Sequence, residues 1–186
     1  MFGWIVLGLV VVAAFYAITI YNGLVKNRQM VEEGWSGIDV QLKRRTDLIP
    51  NLMETVKGYM GHERETLEAV VEARAAATSG ANAGPEQRAK VEGELSSALG
   101  RLLAVAEAYP DLKANTTFLE FQDALRTVED EIQMSRRYYN GAVRNLNVQV
   151  ESFPSNFVAN AFNFIKAQYF ELENEADRAV PSVKFN

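Results

Sequence analysis

Apolar residues recur at intervals of three and four along almost the whole chain. No stretch of any length alternates with the period of two that marks a half-buried strand. The spacing predicts four helices. The first carries Trp35, Ile38, Leu42, Ile49, Leu52, Val56, Tyr59, Leu67 and Val70 on one stripe, and is expected to run on from the N-terminal apolar segment to about Thr78. "SGANAGP", Ser79 to Pro85, reads as a turn, with Pro85 suited to the first position of a second helix that ends near Tyr109. That helix has Val91, Leu95, Leu99, Leu102 and Ala106 on its apolar face. A stripe of Gly93, Ser97, Gly100 and Ala104 on it would let a neighbouring backbone come close. After "YPDLKANTTFLEF", a capping box of Thr117 and Glu120 predicts the start of a third helix with Phe118, Phe121, Leu125, Val128, Ile132, Tyr139, Leu146 and Val150 in phase. "SFPSN" then breaks the chain, and a fourth helix is expected from about Pro154 to Asp177. Its apolar residues cover about 160° of the helical wheel, against roughly 100° for an ordinary surface helix. The expected fold is all-α: an N-terminal transmembrane helix followed by an antiparallel four-helix bundle with a long first helix.

The N-terminal segment gives the strongest single signal. Phe2 to Tyr21 is a run of 20 residues without a charged side chain. At about 1.5 Å per residue it would extend roughly 30 Å, the thickness of a bilayer's hydrocarbon core. Phe2, Trp4, Ile5, Leu7, Leu9, Val11, Phe15, Ile18, Ile20 and Tyr21 are the candidate membrane-spanning residues. A cleaved signal peptide would have a basic start and a small-x-small cleavage site, and neither is visible. Trp4 near one end and Tyr16 and Tyr21 near the other fit interfacial anchoring. No Lys or Arg precedes the run, whereas Lys26 and Arg28 follow it, so the positive-inside bias predicts an outside N-terminus and a cytoplasmic bundle. The organisation expected is an anchor over 1–23, a helical stalk and the start of the first bundle helix over 24–50, the bundle over 51–180 and a tail over 181–186.

Charge and composition narrow the functions. Net charge is −5 and every charged side chain lies after Val25, which argues against nucleic acid as a partner. There is no cysteine and only one histidine, His62, so thiolate sites and histidine clusters are excluded. A di-iron bundle needs paired Glu-x-x-His elements, and Tyr59 stands three residues before the single histidine. No Gly-rich phosphate loop or nucleophile elbow is present. No catalysis and no cofactor is expected.

The densest polar stretch is "DVQLKRRTDLIPNL". Asp39, Lys43 and Asp47 form an i, i+4, i+8 charge ladder on the helix surface, and Arg44 points to solvent. Arg45 falls between Leu42 and Ile49 on the core stripe, where a guanidinium needs a carboxylate partner from another helix or subunit. Pro50 removes an amide donor and crowds the carbonyl of Thr46, so a kink is expected there, with Asn51 placed to bond the freed groups. Contact of this cluster with lipid is disfavoured by its distance along the helix from Tyr21.

An N-terminal anchor followed by "YNGLV", then "DVQLKRRTDLIPNL", "YPDLKAN" and "SRRYYN", resembles the LemA family of bacterial membrane proteins over nearly the whole chain. The segment Arg144 to Pro154 departs from that family's pattern. The resemblance implies a four-helix bundle behind one transmembrane helix in the bacterial cell membrane, a predominantly cytoplasmic domain and no established catalytic activity. A paralogue in magnetosome-forming bacteria makes organisation of membranes the expected class. Asp39, Lys43, Arg45, Asp47, Pro50, Asn51, Tyr109, Pro110, Lys113, Asn115, Arg137, Tyr139 and Asn140 are then candidates for a structural joint or interaction surface.

The expected function is a membrane-anchored helical scaffold that self-associates or presents a docking surface. The alternative is an accessory or adaptor subunit of a membrane enzyme or signalling system. The expected partners are the lipid bilayer, further copies of the chain and an unidentified membrane protein. Self-association is expected through Val31, Trp35, Ile38 and Leu42, a stripe on the long first helix that shorter neighbours would leave wet. The orientation has a direct test. A cysteine introduced at Asn82 should resist a membrane-impermeant thiol reagent in intact cells and react after permeabilisation; strong labelling before permeabilisation would reverse the assignment.

Overall fold

The computed structural model describes residues 2–171. The chain is all-α, with no strand among the described residues. Its helices are α1 (Phe2–Lys57), α2 (Arg64–Ser79), α3 (Pro85–Ala106), α4 (Pro110–Lys113), α5 (Thr116–Glu151) and α6 (Ser155–Ala161), with a 3-10 turn over Gly80–Asn82. They form two compact units, one of residues 2–38 and 133–169 and the other of residues 39–132 with 170–171. Both α1 and α5 contribute to each unit.

In the second unit one hydrophobic core is assembled from every helix present. Ile49, Leu52, Met53 and Val56 of α1 meet Leu67, Val70 and Ala77 of α2, Leu95, Leu99, Leu102 and Ala106 of α3, Leu112 of α4, and Phe118 and Leu125 of α5. Local chemistry sets the boundaries. Pro85 and Pro110 occupy first turns, where a missing N–H costs nothing. The helix expected to reach Tyr109 stops at Ala106, and Tyr109 is extended ahead of Pro110. The third expected helix begins at Thr116, and its cap is Asn115 rather than Thr117: Phe118 N–H donates to Asn115 Oδ1 at 3.0 Å.

The first helix does not continue to Thr78. It ends at Lys57, and residues 58–63 form a turn before α2. Gly58 and Gly61 weaken the helix here. The turn also lets Met60 become fully buried in the core. Gly100 faces open space, so the small-residue stripe of α3 does not mark a close backbone approach there.

In the first unit the end of α5 lies along α1. Leu24 of α1, Leu146 of α5, Ala159 of α6 and Phe164 share a small core, with Ile20, Val25, Val31 and Val150 packed on it. A Cβ on Gly34 would stand 3.0 Å from Tyr139 Cα, so this glycine permits the close approach of the two helices. Beside it the Trp35 and Tyr139 rings lie 5.5 Å apart. The bare stalk is therefore corrected: Ile38 and Leu42 are buried within one chain, Val31 packs on the first unit's core, and Trp35 lies against Tyr139. The cause is the length of α5, 36 residues, which covers a part of α1 expected to be free.

The fourth helix is also corrected. Among the described residues of that span only Ser155–Ala161 is α-helical, residues 164–171 are not, and 172–177 lie outside the described residues. Asn163, at φ 55°, takes the left-handed conformation that ends helices. Beyond it Asn147 replaces the helical partners: its Nδ2 donates to Ala167 O at 2.9 Å and its Oδ1 accepts from Ala167 N at 2.8 Å. Tyr139 Oη donates to Gln168 O at 2.8 Å, and burial pushes this phenol's pKa above its ordinary value.

Candidate functional site

The second unit contains a buried charge cluster. Arg45 sits on the core stripe of α1 and its side chain is 3% exposed, as the helical phase requires. Its Nη2 donates to Glu92 Oε2 at 2.6 Å and to Glu92 O at 3.1 Å. Its Nη1 donates to Ser96 Oγ at 2.5 Å and to Glu129 Oε2 at 3.0 Å. Glu92 takes a second cation on its other oxygen, from Arg88 Nε at 3.2 Å. Arg88 completes its fork by donating Nη2 to Asp39 Oδ1 at 2.9 Å and Nη1 to the carbonyl of Ala81. Two guanidiniums thus share one buried carboxylate, while Asp39 and Glu129 stand at the partly exposed rim.

Arg88 and Glu92 are absent from the sequence candidates, although a signal for them exists. They lie in phase with Leu95, Leu99, Leu102 and Ala106, so the core stripe of α3 begins with two charged residues. Beside the cluster, Lys43 pairs with Asp47 at 3.1 Å and Arg44 with Glu131 at 2.8 Å, both largely in water. Such exposed pairs contribute little to stability.

The second feature is the joint at Pro50. Helix α1 passes through the proline. The carbonyl of Thr46, which has lost its N–H partner, accepts Arg74 Nε from α2 at 3.0 Å. Asn51, expected to bond the freed groups, instead has its carbonyl taken by Thr55 Oγ1, and its side chain is exposed. Nothing in the pattern of α2 distinguishes Arg74 in advance.

The "YPDLKAN" residues fasten the turn after α1. Tyr109 Oη donates to Glu63 Oε1 at 2.8 Å, and this bond to a carboxylate raises the phenol's pKa. Asn115 caps α5 with its oxygen and donates Nδ2 to Tyr59 Oη at 3.1 Å. Leu112 fills the core, and Lys113 pairs with Glu107. In the first unit Tyr139 is buried, Asn140 half-buried and Arg137 exposed. The candidates thus divide into four groups: the charge cluster with Asp39 and Arg45, beside which Lys43 and Asp47 pair in water, the joint with Pro50 and Asn51, the turn lock with Tyr109, Pro110, Lys113 and Asn115, and Tyr139 with Trp35. Among the described residues no three acidic or histidine side chains converge as metal ligands.

The N-terminal stretch of α1 is long and apolar enough to cross a membrane and its side chains are exposed, which fits a membrane-associated helical protein. The chain belongs to the LemA family, whose pattern matches residues 34–185. Among its relatives is Protein LemA of Metamycoplasma hominis, 26% identical over 172 residues that cover 91% of this chain and 78% of the relative. Magnetosome protein MamQ 2 of Paramagnetospirillum magneticum is 25% identical over 201 residues, covering 94% of this chain and 74% of the relative. Magnetosome protein MamQ of Magnetospirillum gryphiswaldense is 23% identical, covering 86% of this chain and 68% of the relative.

The charge cluster and the proline joint differ in what their loss should cost. Glu92→Ala, which takes from Arg45 and Arg88 the buried carboxylate they share and leaves each only a carboxylate partner at the rim, should lower the unfolding free energy of the full-length protein by about 3–5 kcal/mol. Glu129→Ala, whose side chain is 39% exposed, should cost under about 1 kcal/mol. Equal losses in denaturant titrations would show that the cluster is not organised around Glu92. At the joint, Arg74→Ala should cost about 1–2 kcal/mol by leaving the Thr46 carbonyl unpaired. The same change in a Pro50→Ala background should cost much less, because the alanine that replaces the proline supplies an N–H to that carbonyl. Additive losses would detach Arg74 from the proline.

Proposed function

We propose that the protein is a membrane-anchored helical scaffold, single-pass in the bacterial cell membrane, with its N-terminus outside and its bundle in the cytoplasm. The observation that carries this reading is Glu92, held by two arginines and closed to substrate. The polar centre of the second unit is spent on fixing helices to one another, as a rigid support requires and a turnover site does not. No catalytic activity is part of this proposal. Relatives named as magnetosome proteins favour a role in organising a cell structure over small-molecule chemistry.

Self-association is retained with a different surface. Because Ile38 and Leu42 are buried, the exposed stripe on α5 replaces the first-helix stripe: Met134, Tyr138 and Val148 face outward, and Gly141 between them meets open space. Copies anchored in one membrane share an orientation and a high local concentration, so modest contacts suffice. Native mass measurement of full-length protein in mild detergents and nanodiscs should give assemblies larger than one chain, and Met134→Glu with Val148→Glu should shrink them. A monomeric wild type would remove self-association from the scaffold reading. A variant as large as wild type would place the contact elsewhere.

The adaptor reading rests on a shallow groove between α2 and α3, floored by Ala69, Ala73, Ala76 and Ala98 and rimmed by Glu72, Glu94 and Arg101. A monomer that co-purifies with one membrane enzyme at fixed stoichiometry would favour it over the scaffold.

A further inference from the structure

The end of the first unit exposes large apolar side chains beside polar ones such as Ser152, Asn160 and Asn163. Turns that meet water carry their polar side chains outward. Here Ser155 is buried, its hydroxyl spent on the carbonyls of Gln149 at 2.5 Å and Ser152 at 2.9 Å. Phe153, Phe157, Phe162 and Ile165 point outward at 80%, 65%, 59% and 80% exposure. The Phe153 and Phe157 rings touch edge to face at 5.9 Å, so they form one patch. A cluster of large apolar side chains at one end of a unit needs an occupant.

The position of the patch identifies that occupant. Helix α5 runs antiparallel to α1, and Gln149 Nε2 donates to Ile20 O at 3.4 Å while Asn27 donates to Gln149 Oε1 at 2.6 Å. Helix α5 ends at Glu151, two residues past Gln149, so the α5–α6 turn follows directly on the part of α5 that bonds to α1 at Ile20 and Asn27. The Tyr21 ring, at the end of the apolar run of α1, meets Phe162 at 4.8 Å and Phe164 at 5.7 Å. Phe164 is buried and ties the segment to the unit's core, with the Arg28 guanidinium 5.1 Å from its ring centre. Cations at headgroup depth beside aromatic rings at the interface match the two layers of a membrane surface.

We infer that the α5–α6 turn and the segment after it form an interfacial wedge, with Phe153, Phe157, Phe162 and Ile165 inserted at the headgroup–acyl boundary of the bilayer that α1 spans. The inference rests on the membrane-anchored reading and adds a second membrane contact to it. The wedge gives the protein a fixed seat at the surface, because side chains on two separate chain segments must meet the same interface.

The chain has no cysteine, which permits a direct test. Single cysteines are placed at Phe157, Ile165, Val11 and Arg137 of the full-length protein, each labelled with an environment-sensitive NBD fluorophore. The proteins are reconstituted in phosphatidylcholine nanodiscs with or without brominated acyl chains. At Phe157 and Ile165 the expected result is blue-shifted emission and a brominated-lipid quenching comparable with that at Val11, while Arg137 stays water-like and unquenched. If Val11 is unquenched, the anchor itself fails and the wedge fails with it. If Val11 is quenched but both turn positions are water-like, the wedge alone is overturned. Blue-shifted turn positions without quenching would mean that protein covers the patch, which also overturns the wedge.

Discussion

Glu92 lies buried between two buried guanidiniums, Arg45 and Arg88, and each of the three is held by the others. Removing three charges from water costs several kcal/mol for each ion, and only close, well-directed partners return it. Every distance around the carboxylate is therefore constrained, from Arg45 on α1 to Arg88 one turn earlier on α3. The apolar contacts below, from Ile49 and Leu52 across to Leu95 and Leu99, are compatible with many small slips of one helix along another. The charge cluster is not, since a slip of one residue would strand a guanidinium. Hydrophobic burial supplies the stability of this unit, and the cluster selects the register in which that burial occurs.

What the sequence made legible was whatever depends on phase. The all-α class, the apolar N-terminal run, the core stripes of α3 and α5 and the inward position of Arg45 all follow from counting threes and fours. What was missed depends on which segment comes to lie beside which. The stripe Val31, Trp35, Ile38, Leu42 read as uncovered because the reach of α5 along α1 is a tertiary fact. The aromatic residues after Pro154 read as a wide helical arc, whereas they divide into buried Phe164 and Phe170 and exposed Phe157, Phe162 and Tyr169, with Phe153 and Ile165 exposed as well. The break after Lys57 was legible in principle from Gly58 and Gly61, but the continuing apolar period through Leu67 outweighed it.

The polar side chains at the helix breaks share one physical task, which is to satisfy main-chain groups where a helix is interrupted. Arg74 takes the carbonyl that Pro50 leaves open, Asn115 takes an N–H at the start of α5, and Ser155 takes carbonyls at its end. Asn147 takes both main-chain groups of Ala167. Each substitution of side chain for backbone lets a helix stop or tolerate proline without a buried unpaired group. At the break before α5, Tyr109, Lys113 and Asn115, residues that look catalytic in a list, are spent in the same way on Glu63, Glu107, Tyr59 and main chain.

At the α5–α6 turn and the segment after it, Ser155 is buried with its hydroxyl on main-chain carbonyls, while four large apolar side chains stand exposed beside polar Ser152, Asn160 and the Lys166–Glu151 pair. In water that arrangement promotes nonspecific association, and at a bilayer interface it is favourable at about 25 cal/mol per Å² of apolar surface removed. The turn lies beside Tyr21, where the apolar run of α1 ends, so no rearrangement is needed for both to meet one interface. On the proposed scaffold reading, a protein seated by a span and a wedge would lose more rotational freedom when anchored than one tethered by a span alone. It would then lose less if copies met, and weak contacts would gain correspondingly in effect.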